Sequence, residues 1–144
     1  MKKITTSSLL AILMITVFSF TFPKNEVSND IVFFKGTWKE ALKLAKNENK
    51  LIFLDISASW CGPCKKLKRT TFTNKKVAEY FNAKYINVEL DGEYGEGVAL
   101  AQKFHLTGYP TLYFIDAREN IVSESIGFVN HKEILKWAKS TDKK

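Results

Sequence analysis

Short apolar runs separated by polar stretches predict a chain that alternates between β-strands and α-helices. Five of these runs predict strands, at residues 31–34, 51–56, 85–90, 111–115 and 121–125. The run 51–56 is apolar at every position except Asp55, which is typical of a central parallel strand covered on both faces. The run 31–34 is expected to form an edge strand. The last two runs flank a polar turn at 116–120, so we expect them to pair in antiparallel orientation.

Capping signals and the helical spacing of apolar residues predict five helices between these strands. Thr37 and Glu40 have the spacing of a capping box, and Asn130 with Glu133 repeats this spacing before the last helix. The other three helices are predicted at 61–70, 74–82 and 98–104. The element order is strand, helix, strand, helix, helix, strand, helix, two antiparallel strands and helix. This order predicts a three-layer α/β/α sandwich around a central mixed sheet.

The first 22 residues differ from the rest of the chain and resemble a secretory signal peptide. Two lysines follow Met1, and residues 9–20 form a hydrophobic block that is shorter than the ~20 residues of a membrane span. Ser19 and Thr21 offer small residues for cleavage near Phe22, but no Ala-x-Ala is present, so an uncleaved anchor is the alternative. We expect an exported, periplasmic or other extracytoplasmic protein with a leader at 1–22, a linker at 23–30 and a domain at 31–144.

Composition and charge are those of one packed domain with a solvated basic surface. The 144 residues include 22 Lys and Arg against 15 Asp and Glu, which gives a formal net charge of +7. The basic residues are spread along the sequence and no nucleic-acid-binding motif occurs, so we expect no nucleic-acid partner. The apolar content of 45% is sufficient for a core without disulfide staples. We therefore expect a monomer, with membrane contact only through an uncleaved leader.

The chain has two cysteines, Cys61 and Cys64, which lie where a predicted strand gives way to a predicted helix. A zinc site would need a second pair of ligands, and His105 and His131 are isolated from each other and from the cysteines. A purely structural disulfide across so short a loop would restrain little of the unfolded chain. Redox chemistry is the interpretation we favour. It requires no metal or cofactor, because the electrons reside in the dithiol.

The start of a helix favours a thiolate, because unpaired backbone N–H groups and the positive end of the helix dipole stabilise an anion there. A lowered pKa would make Cys61 a nucleophile, and Cys64 is near enough to close an intramolecular disulfide. Pro63 suits the first helical turn, where its missing N–H would be unpaired anyway. An acid that interrupts a strand usually faces solvent. The position of Asp55 just before the cysteines instead favours burial beneath them and a raised pKa.

The string Trp-Cys-Gly-Pro-Cys-Lys at 60–65 resembles the active-site string of the thioredoxin superfamily. Three further features agree with that resemblance. Asp55 stands six positions before Cys61, where the family has a buried acid; the segment 108–111, Gly-Tyr-Pro-Thr, resembles the cis-proline loop; and Gly127 matches a glycine near the last strand. The resemblance covers about residues 31–141 and implies a thioredoxin-like fold.

The resemblance also implies a role for each site residue. Cys61 attacks the substrate sulfur, and Cys64 is the resolving thiol, buried until the mixed disulfide forms. Asp55 takes the proton from Cys64, through water. A cis bond turns the backbone of Tyr109 toward the cysteines, where it can pair with an extended substrate. The residues expected to form the substrate-binding rim are Trp60, Gly62, Pro63, Gly108, Tyr109 and Pro110. Core packing is the alternative for the two aromatic side chains.

The sequence departs from the family pattern in the second helix and in the strand that follows it. Arg69 stands where many members have a proline, and Asn87 stands where a lysine partner of the buried acid is common. The basic residues of the second helix are expected to form an ordinary exposed face without a substrate role. The loop at 91–97, rich in glycine and acidic residues, is a candidate for shaping the substrate site.

The Gly-Pro pair between the cysteines resembles the reducing members of the family, whose potential lies near about −270 mV, rather than the strong oxidants near about −120 mV. We therefore expect a reductase of protein disulfides in a bacterial-type cell envelope, recharged by a transmembrane electron donor. Wrongly paired envelope proteins and the cysteines of apocytochrome c are candidate substrates. The alternatives are a disulfide oxidase or isomerase, and a redox-inactive binding or chaperone module.

Overall fold

The computed structural model describes residues 28–142. The predicted leader at 1–22, residues 23–27 of the predicted linker and the last two residues lie outside the described residues. Within 28–142 the elements follow in the order α1 (Trp38–Glu48), β1 (Ile52–Ser57), α2 (Gly62–Thr70), α3 (Lys75–Lys84), β2 (Ile86–Asp91), α4 (Glu96–Lys103), β3 (Thr111–Ile115), β4 (Ile121–Ile126) and α5 (His131–Thr141).

The four strands form one mixed sheet in the order β2-β1-β3-β4. Strand β1 is parallel to β2 and antiparallel to β3, and β3 is antiparallel to β4. All six residues of β1 are buried, which confirms the prediction of a central strand covered on both faces. The antiparallel pairing of β3 with β4 around the turn at 116–120 is also confirmed.

Helices cover both faces of the sheet, so the predicted three-layer sandwich is confirmed. On one face, Ile52, Leu54 and Ile56 of β1 pack with apolar residues of α1 and α4. On the other face, Phe53 packs against Leu67 of α2 and against apolar residues of α3 and α5. Alternation of side chains along β1 therefore divides the core into two clusters. The second cluster anchors α2, the helix that carries Cys64.

The capping signals fix the two predicted helix starts. Thr37 accepts a hydrogen bond from the backbone of Glu40, whose side chain accepts one from the backbone of Thr37. Asn130 and Glu133 make the same reciprocal pair at the start of α5. These bonds satisfy backbone N–H groups that have no partner within the helix. The other predicted boundaries differ from the observed ones by at most two residues.

The prediction of an edge strand at 31–34 is wrong. Beside β2, the segment makes one backbone bond, from the N–H of Phe34 to the carbonyl of Asn87 (2.8 Å). The N–H of Val32 is instead taken by the side chain of Asn82 (2.8 Å). The side-chain amide of Asn87 donates to Asn82 and to the carbonyl of Val32 (3.2 and 3.4 Å). Side-chain amides thus replace the bonds that a strand would make with β2.

Among residues 28–142, no helix has the length and apolar character that crossing a bilayer requires. Any membrane contact of the predicted leader concerns residues outside this range.

We expect Asn82→Ala to lower the free energy of unfolding by about 1–2 kcal/mol, because the side chain makes hydrogen bonds to Asp30, Val32 and Asn87. Denaturant unfolding measures the change, and amide exchange at Val32 should accelerate. Asn47→Ala, at an exposed position of α1, is the matched control and should not destabilise the protein. Equal effects of the two substitutions would contradict the assigned role of Asn82.

Candidate active site

The two cysteines are placed by the turn between β1 and α2. Cys61 is the N-cap of α2, and its sulfur accepts a hydrogen bond from the backbone N–H of Cys64 (3.1 Å). The N–H of Cys61 donates to the carbonyl of Ala58 (3.1 Å), which closes the turn. Pro63 lies in the first helical turn, where its missing N–H removes no hydrogen bond. The helix therefore begins at Gly62, one residue later than predicted.

The sulfurs of Cys61 and Cys64 are bonded to each other, with an S–S distance of 2.10 Å. The disulfide is nearly covered, since Cys61 is 2% exposed and Cys64 is 1% exposed. Ala58 and Tyr109 pack against it. Both cysteines are thus shielded in the oxidised form, whereas the prediction placed only Cys64 in a buried position. An incoming sulfur has to reach Cys61 beside the side chain of Tyr109.

A reduced Cys61 would lie at the same helix N-terminus. Its thiolate could accept the N–H of Cys64, and the positive end of the helix dipole would favour the negative charge. No lysine or arginine occupies the first turn of α2, because the cations begin with Lys65. The stabilisation of the thiolate would therefore come chiefly from the backbone of α2.

Asp55 is completely buried in β1, on the face of the sheet that α2 covers, which confirms the prediction of burial. The alternative of a solvent-facing acid is wrong. Neither carboxylate oxygen has a hydrogen-bond partner among residues 28–142. Burial and then the negative charge of Glu89 raise the pKa of Asp55, the positive charge of Lys68 opposes the rise, and together these effects place the pKa at about 7. This carboxyl group can therefore gain or lose a proton near neutral pH.

The charged neighbours of Asp55 are residues that sequence reasoning missed. Glu89 is the register partner of Asp55 on β2, and its side chain forms an ion pair with Lys68 of α2. Lys68 follows Cys64 by four residues, so both lie on the same side of α2. Sequence analysis assigned Lys68 to an ordinary exposed face. In the structure, its side chain is only partly exposed and is paired with Glu89. Knowledge of the pairing register between β1 and β2 would have identified Glu89 as the neighbour of Asp55.

Asn87 does not replace the missing lysine partner. Its side chain bonds to Val32 and Asn82, at the outer edge of β2. The cation near Asp55 comes instead from the helix, through Lys68.

Of the residues predicted to form the rim, Tyr109 packs against the disulfide, and the others are sequence neighbours of Tyr109 or of the cysteines, with Pro110 buried. The ring of Trp60 meets the ring of Tyr109 edge-on, with centroids 5.9 Å apart, and Trp60 is 65% exposed. The bond between Tyr109 and Pro110 is cis, as the resemblance implied. Gly108 lies next to the exposed side chain of Ile126, a rim neighbour that the sequence did not single out. Gly62 and Pro63 are exposed between the cysteines.

The backbone of the cis-proline loop is only partly engaged. The carbonyl of Pro110 accepts the N–H of Gly127 (2.8 Å), and the carbonyl of Gly108 accepts the hydroxyl of Thr111 (2.7 Å). By contrast, neither the N–H nor the C=O of Tyr109 makes a hydrogen bond within residues 28–142. A donor and an acceptor are therefore free beside the disulfide.

The two histidines remain apart from the cysteines. His105 follows α4, and His131 is the first residue of α5. Over the range 28–142, no group of three or more His, Cys, Asp and Glu side chains is arranged to hold a metal ion.

Comparison with solved structures shows the same fold in several redox proteins. The solution structure of a Bacteroides thetaiotaomicron protein assigned as a disulphide-isomerase superposes with a TM-score of 0.69 at 41% identity, covering 78% of this chain and 93% of that chain. The oxidised C-terminal domain of DsbD from Neisseria meningitidis superposes with a TM-score of 0.62 at 23% identity, covering 76% of this chain and 99% of that domain.

Sequence comparison leads to the same group of proteins. The thiol:disulfide interchange protein DsbD of Haemophilus influenzae is 31% identical over 109 residues, which are 74% of this chain but 19% of DsbD. The chain thus spans about a fifth of the length of this relative. The sequence model for the family described as thioredoxin-like matches residues 34–117, more than half of the chain. The protein belongs to the thioredoxin-like family.

Proposed function

We propose that this thiol–disulfide oxidoreductase works as a reductase of protein disulfides in an extracytoplasmic compartment of the bacterial type. The observation that carries the proposal is the Cys61–Cys64 disulfide at the N-terminus of α2, with a buried carboxyl group, Asp55, on the strand beneath that helix. A dithiol at this place has a nucleophile, a resolving thiol and a proton acceptor.

The first step forms a mixed disulfide. The Cys61 thiolate attacks one sulfur of a substrate disulfide, the substrate S–S bond breaks, and the departing substrate sulfur takes a proton from solvent. The bond between the Cys61 sulfur and the substrate sulfur replaces the substrate disulfide, so one disulfide bond breaks and one forms in this step. The helix N-terminus assists by holding Cys61 in its charged form.

The second step releases the substrate. Asp55 accepts the proton of the Cys64 thiol, and the Cys64 thiolate attacks the Cys61 sulfur. The mixed disulfide breaks, the Cys61–Cys64 disulfide forms, and the second substrate sulfur leaves as a thiolate that takes a proton. Two electrons have then passed from the dithiol to the substrate, whose disulfide has become two thiols.

The substrate-binding rim would hold the substrate during both steps. The free N–H and C=O of Tyr109 can pair with an extended segment of the substrate, as an added strand does. The exposed ring of Trp60 and the side chain of Ile126 supply apolar surface on either side. We assign Gly62 and Pro63 to the same surface because they lie between the cysteines, and Gly108 and Pro110 because they flank Tyr109.

The predicted leader indicates the compartment in which the reaction takes place and the kind of electron donor it needs. A reductase exported by residues 1–22 needs electrons from the other side of the membrane, and a transmembrane dithiol donor of the thioredoxin-linked kind would supply them. Neither a metal nor a cofactor takes part, since the dithiol holds both electrons. Wrongly paired envelope proteins and apocytochrome c cysteines are the substrates that this location favours.

A disulfide oxidase or isomerase is the second candidate. The Bacteroides thetaiotaomicron relative, at 41% identity, is assigned as a disulphide-isomerase, and this favours the alternative. The Gly-Pro pair between Cys61 and Cys64 favours the reductase.

The reduction potential separates these two functions. We expect a potential near about −270 mV, measured by equilibration of the purified protein with a thiol buffer, because the Gly-Pro pair resembles the reducing members of the family. A value above about −150 mV would make the protein an oxidase rather than a reductase. A wild type that reduces insulin no faster than Cys61→Ser does, and that has no oxidase or isomerase activity either, would be a binding module.

Substitution of each cysteine tests the order of the steps. Cys61→Ser should abolish turnover, because no nucleophile remains. Cys64→Ser should accumulate mixed disulfides with partner proteins, because nothing resolves them, and mass spectrometry of the trapped species would name the partners. Cys61→Ser is the matched control for the trap and should capture nothing. Full activity of both variants would disprove the mechanism.

Substitution of Asp55 tests the proton acceptor. In Asp55→Asn the second step should slow by about a hundredfold, the scale of lost acid–base catalysis, and the rise of the rate around pH 7 should disappear. Stopped-flow measurement of substrate release between pH 6 and 9 reports both effects. Rates that match the wild type across this range would remove Asp55 from the site.

The same substitution should stabilise the oxidised protein at neutral pH. The pKa of Asp55 is raised from 3.8 to about 7, so the folded state binds the proton more tightly, and wild-type stability falls as pH rises from about 4 to 7. Asn does not ionise, and its advantage should grow over this range to about 4 kcal/mol at most. Asp30→Asn, at an exposed position, also removes one carboxyl group and is the matched control.

Two further variants separate charge from structure. Glu89→Gln should lower the pKa of Asp55 and Lys68→Met should raise it, so the midpoint of the pH profile should move in opposite directions. Both variants lose the ion pair between Lys68 and Glu89, so its loss should change the free energy of unfolding in the same direction in both. Midpoints that move in the same direction would show that the pair acts on structure alone.

A further inference from the structure

The loop between β2 and α4 packs against the substrate-binding rim, and the reaction described above makes no use of it. The N–H of Gly92 donates to the carbonyl of Ser57 (2.8 Å), and the N–H of Glu93 donates to the side chain of Asp91 (2.8 Å). A Cβ atom at Gly92 would lie 2.6 Å from the ring of Tyr109. The close approach of this glycine therefore fixes the position of Glu93 relative to the rim.

Glu93 holds the exposed aromatic side chain of the rim. The indole N–H of Trp60 donates to Oε2 of Glu93 (2.9 Å), while the indole ring meets Tyr109 edge-on. A hydrogen bond to a carboxylate is stronger than one to a neutral acceptor. An exposed tryptophan would otherwise lose side-chain freedom when a substrate arrives, and this bond removes part of that cost beforehand.

The carboxylate of Glu93 keeps capacity for a second partner. Its other oxygen, Oε1, makes no hydrogen bond or ion pair with any residue in the described range, and the side chain is exposed. Burial, and then the charges of Glu93 and Asp91, raise the pKa of Tyr109, so the negative charge is felt at the rim. The protein as a whole carries a formal charge of +7, so the negative charge of Glu93 is opposite in sign to the net charge of the chain.

We propose that Glu93 makes the rim selective for protein disulfides that have a lysine or arginine next to a reacting cysteine. A cation there would meet the free oxygen of Glu93 and could lie over the exposed face of Trp60, where a cation–π contact adds to the ion pair. This inference rests on the proposed function. It gives the substrate class as a basic segment around the disulfide.

Short peptides closed by one internal disulfide test the selectivity. The peptides differ only in one residue, which is Arg, Gln or Glu. This residue stands beside the first cysteine in one series and beside the second cysteine in the other, so that in one series it lies near Glu93 in the mixed disulfide. The chemically reduced protein is mixed with each peptide, and chromatography of the released thiols gives the rate constant. At low salt, the Arg peptide should react about threefold faster than the Gln peptide and the Glu peptide about threefold slower, at one placement. High salt should reduce both differences.

Two variants separate the charge of Glu93 from its hold on Trp60. Glu93→Gln keeps an oxygen that can accept the indole N–H, though in a weaker bond, so it should abolish the Arg preference and slow the reaction with the Gln peptide less than Glu93→Ala does. Glu93→Ala removes the acceptor as well and should also slow the reaction with all three peptides. Glu79→Gln, on α3, changes the net charge equally and is the matched control that should keep the preference.

Persistence of the Arg preference in Glu93→Gln, or its equal loss in Glu79→Gln, would overturn the inference. Equal reaction of the wild type with all peptides would also overturn it, while leaving the proposed reductase intact. Failure of the wild type to reduce any peptide would instead overturn the proposed function, and this inference with it.

Discussion

A carboxyl group that is buried in the central strand of the sheet, with no hydrogen-bond partner among residues 28–142, is the constraint on which the site depends. Burial of a charged carboxylate is costly, and Asp55 relieves that cost by holding its proton up to about neutral pH. An apolar residue at the same place would give a more stable sheet. The position is useful because the group is shielded from bulk water yet lies under the helix that carries Cys64. Its proton affinity then follows from burial and from two charged neighbours rather than from direct hydrogen bonds.

The parts of the site differ in how firmly they are fixed. Asp55 and Cys64 belong to β1 and α2, and Leu67 anchors that helix in the core beside Phe53. The substrate-binding rim comes from segments outside the regular elements, including the cis-proline loop and the turn before α2. Rigid elements thus hold the groups that exchange electrons and protons, whereas loops present the surface that a partner meets. Variation of the loops could change partners without disturbing the chemistry.

The sequence predicted most of the fold because its signals are local. Capping boxes at Thr37 and Asn130 and the apolar run of β1 act within one element and its neighbours, so the element order followed from them. The disulfide pair and the buried acid could likewise be read from one strand-to-helix junction. The prediction of an edge strand at 31–34 was wrong because apolar character does not reveal the hydrogen bond from the N–H of Val32 to the side chain of Asn82, 50 positions away in the chain.

Contacts between distant segments explain the other omissions. The ion pair of Lys68 with Glu89 depends on the register of two strands and on the rotation of α2, and neither is encoded in a spacing. The bond from Trp60 to Glu93 likewise joins parts of the chain that only the folded sheet brings together. Sequence reasoning identified the loop at 91–97 as a candidate for shaping the site, but it could not say which side chain would reach the cysteines. Such pairs become visible only once tertiary packing is known.

The amide contacts of Asn82 and Asn87 have a consequence for how copies of the protein behave when crowded together. They bind the segment at 31–34 along the outer side of β2. That side therefore offers few unpaired backbone N–H and C=O groups to another chain. At the opposite border of the sheet, β4 has no strand on its outer side within residues 28–142, and Ile121 and Ile126 are exposed at its ends. Exposed Glu124 lies near the middle of that border, and like charges there would repel a second copy. Resistance to aggregation through this sheet would then depend largely on one glutamate.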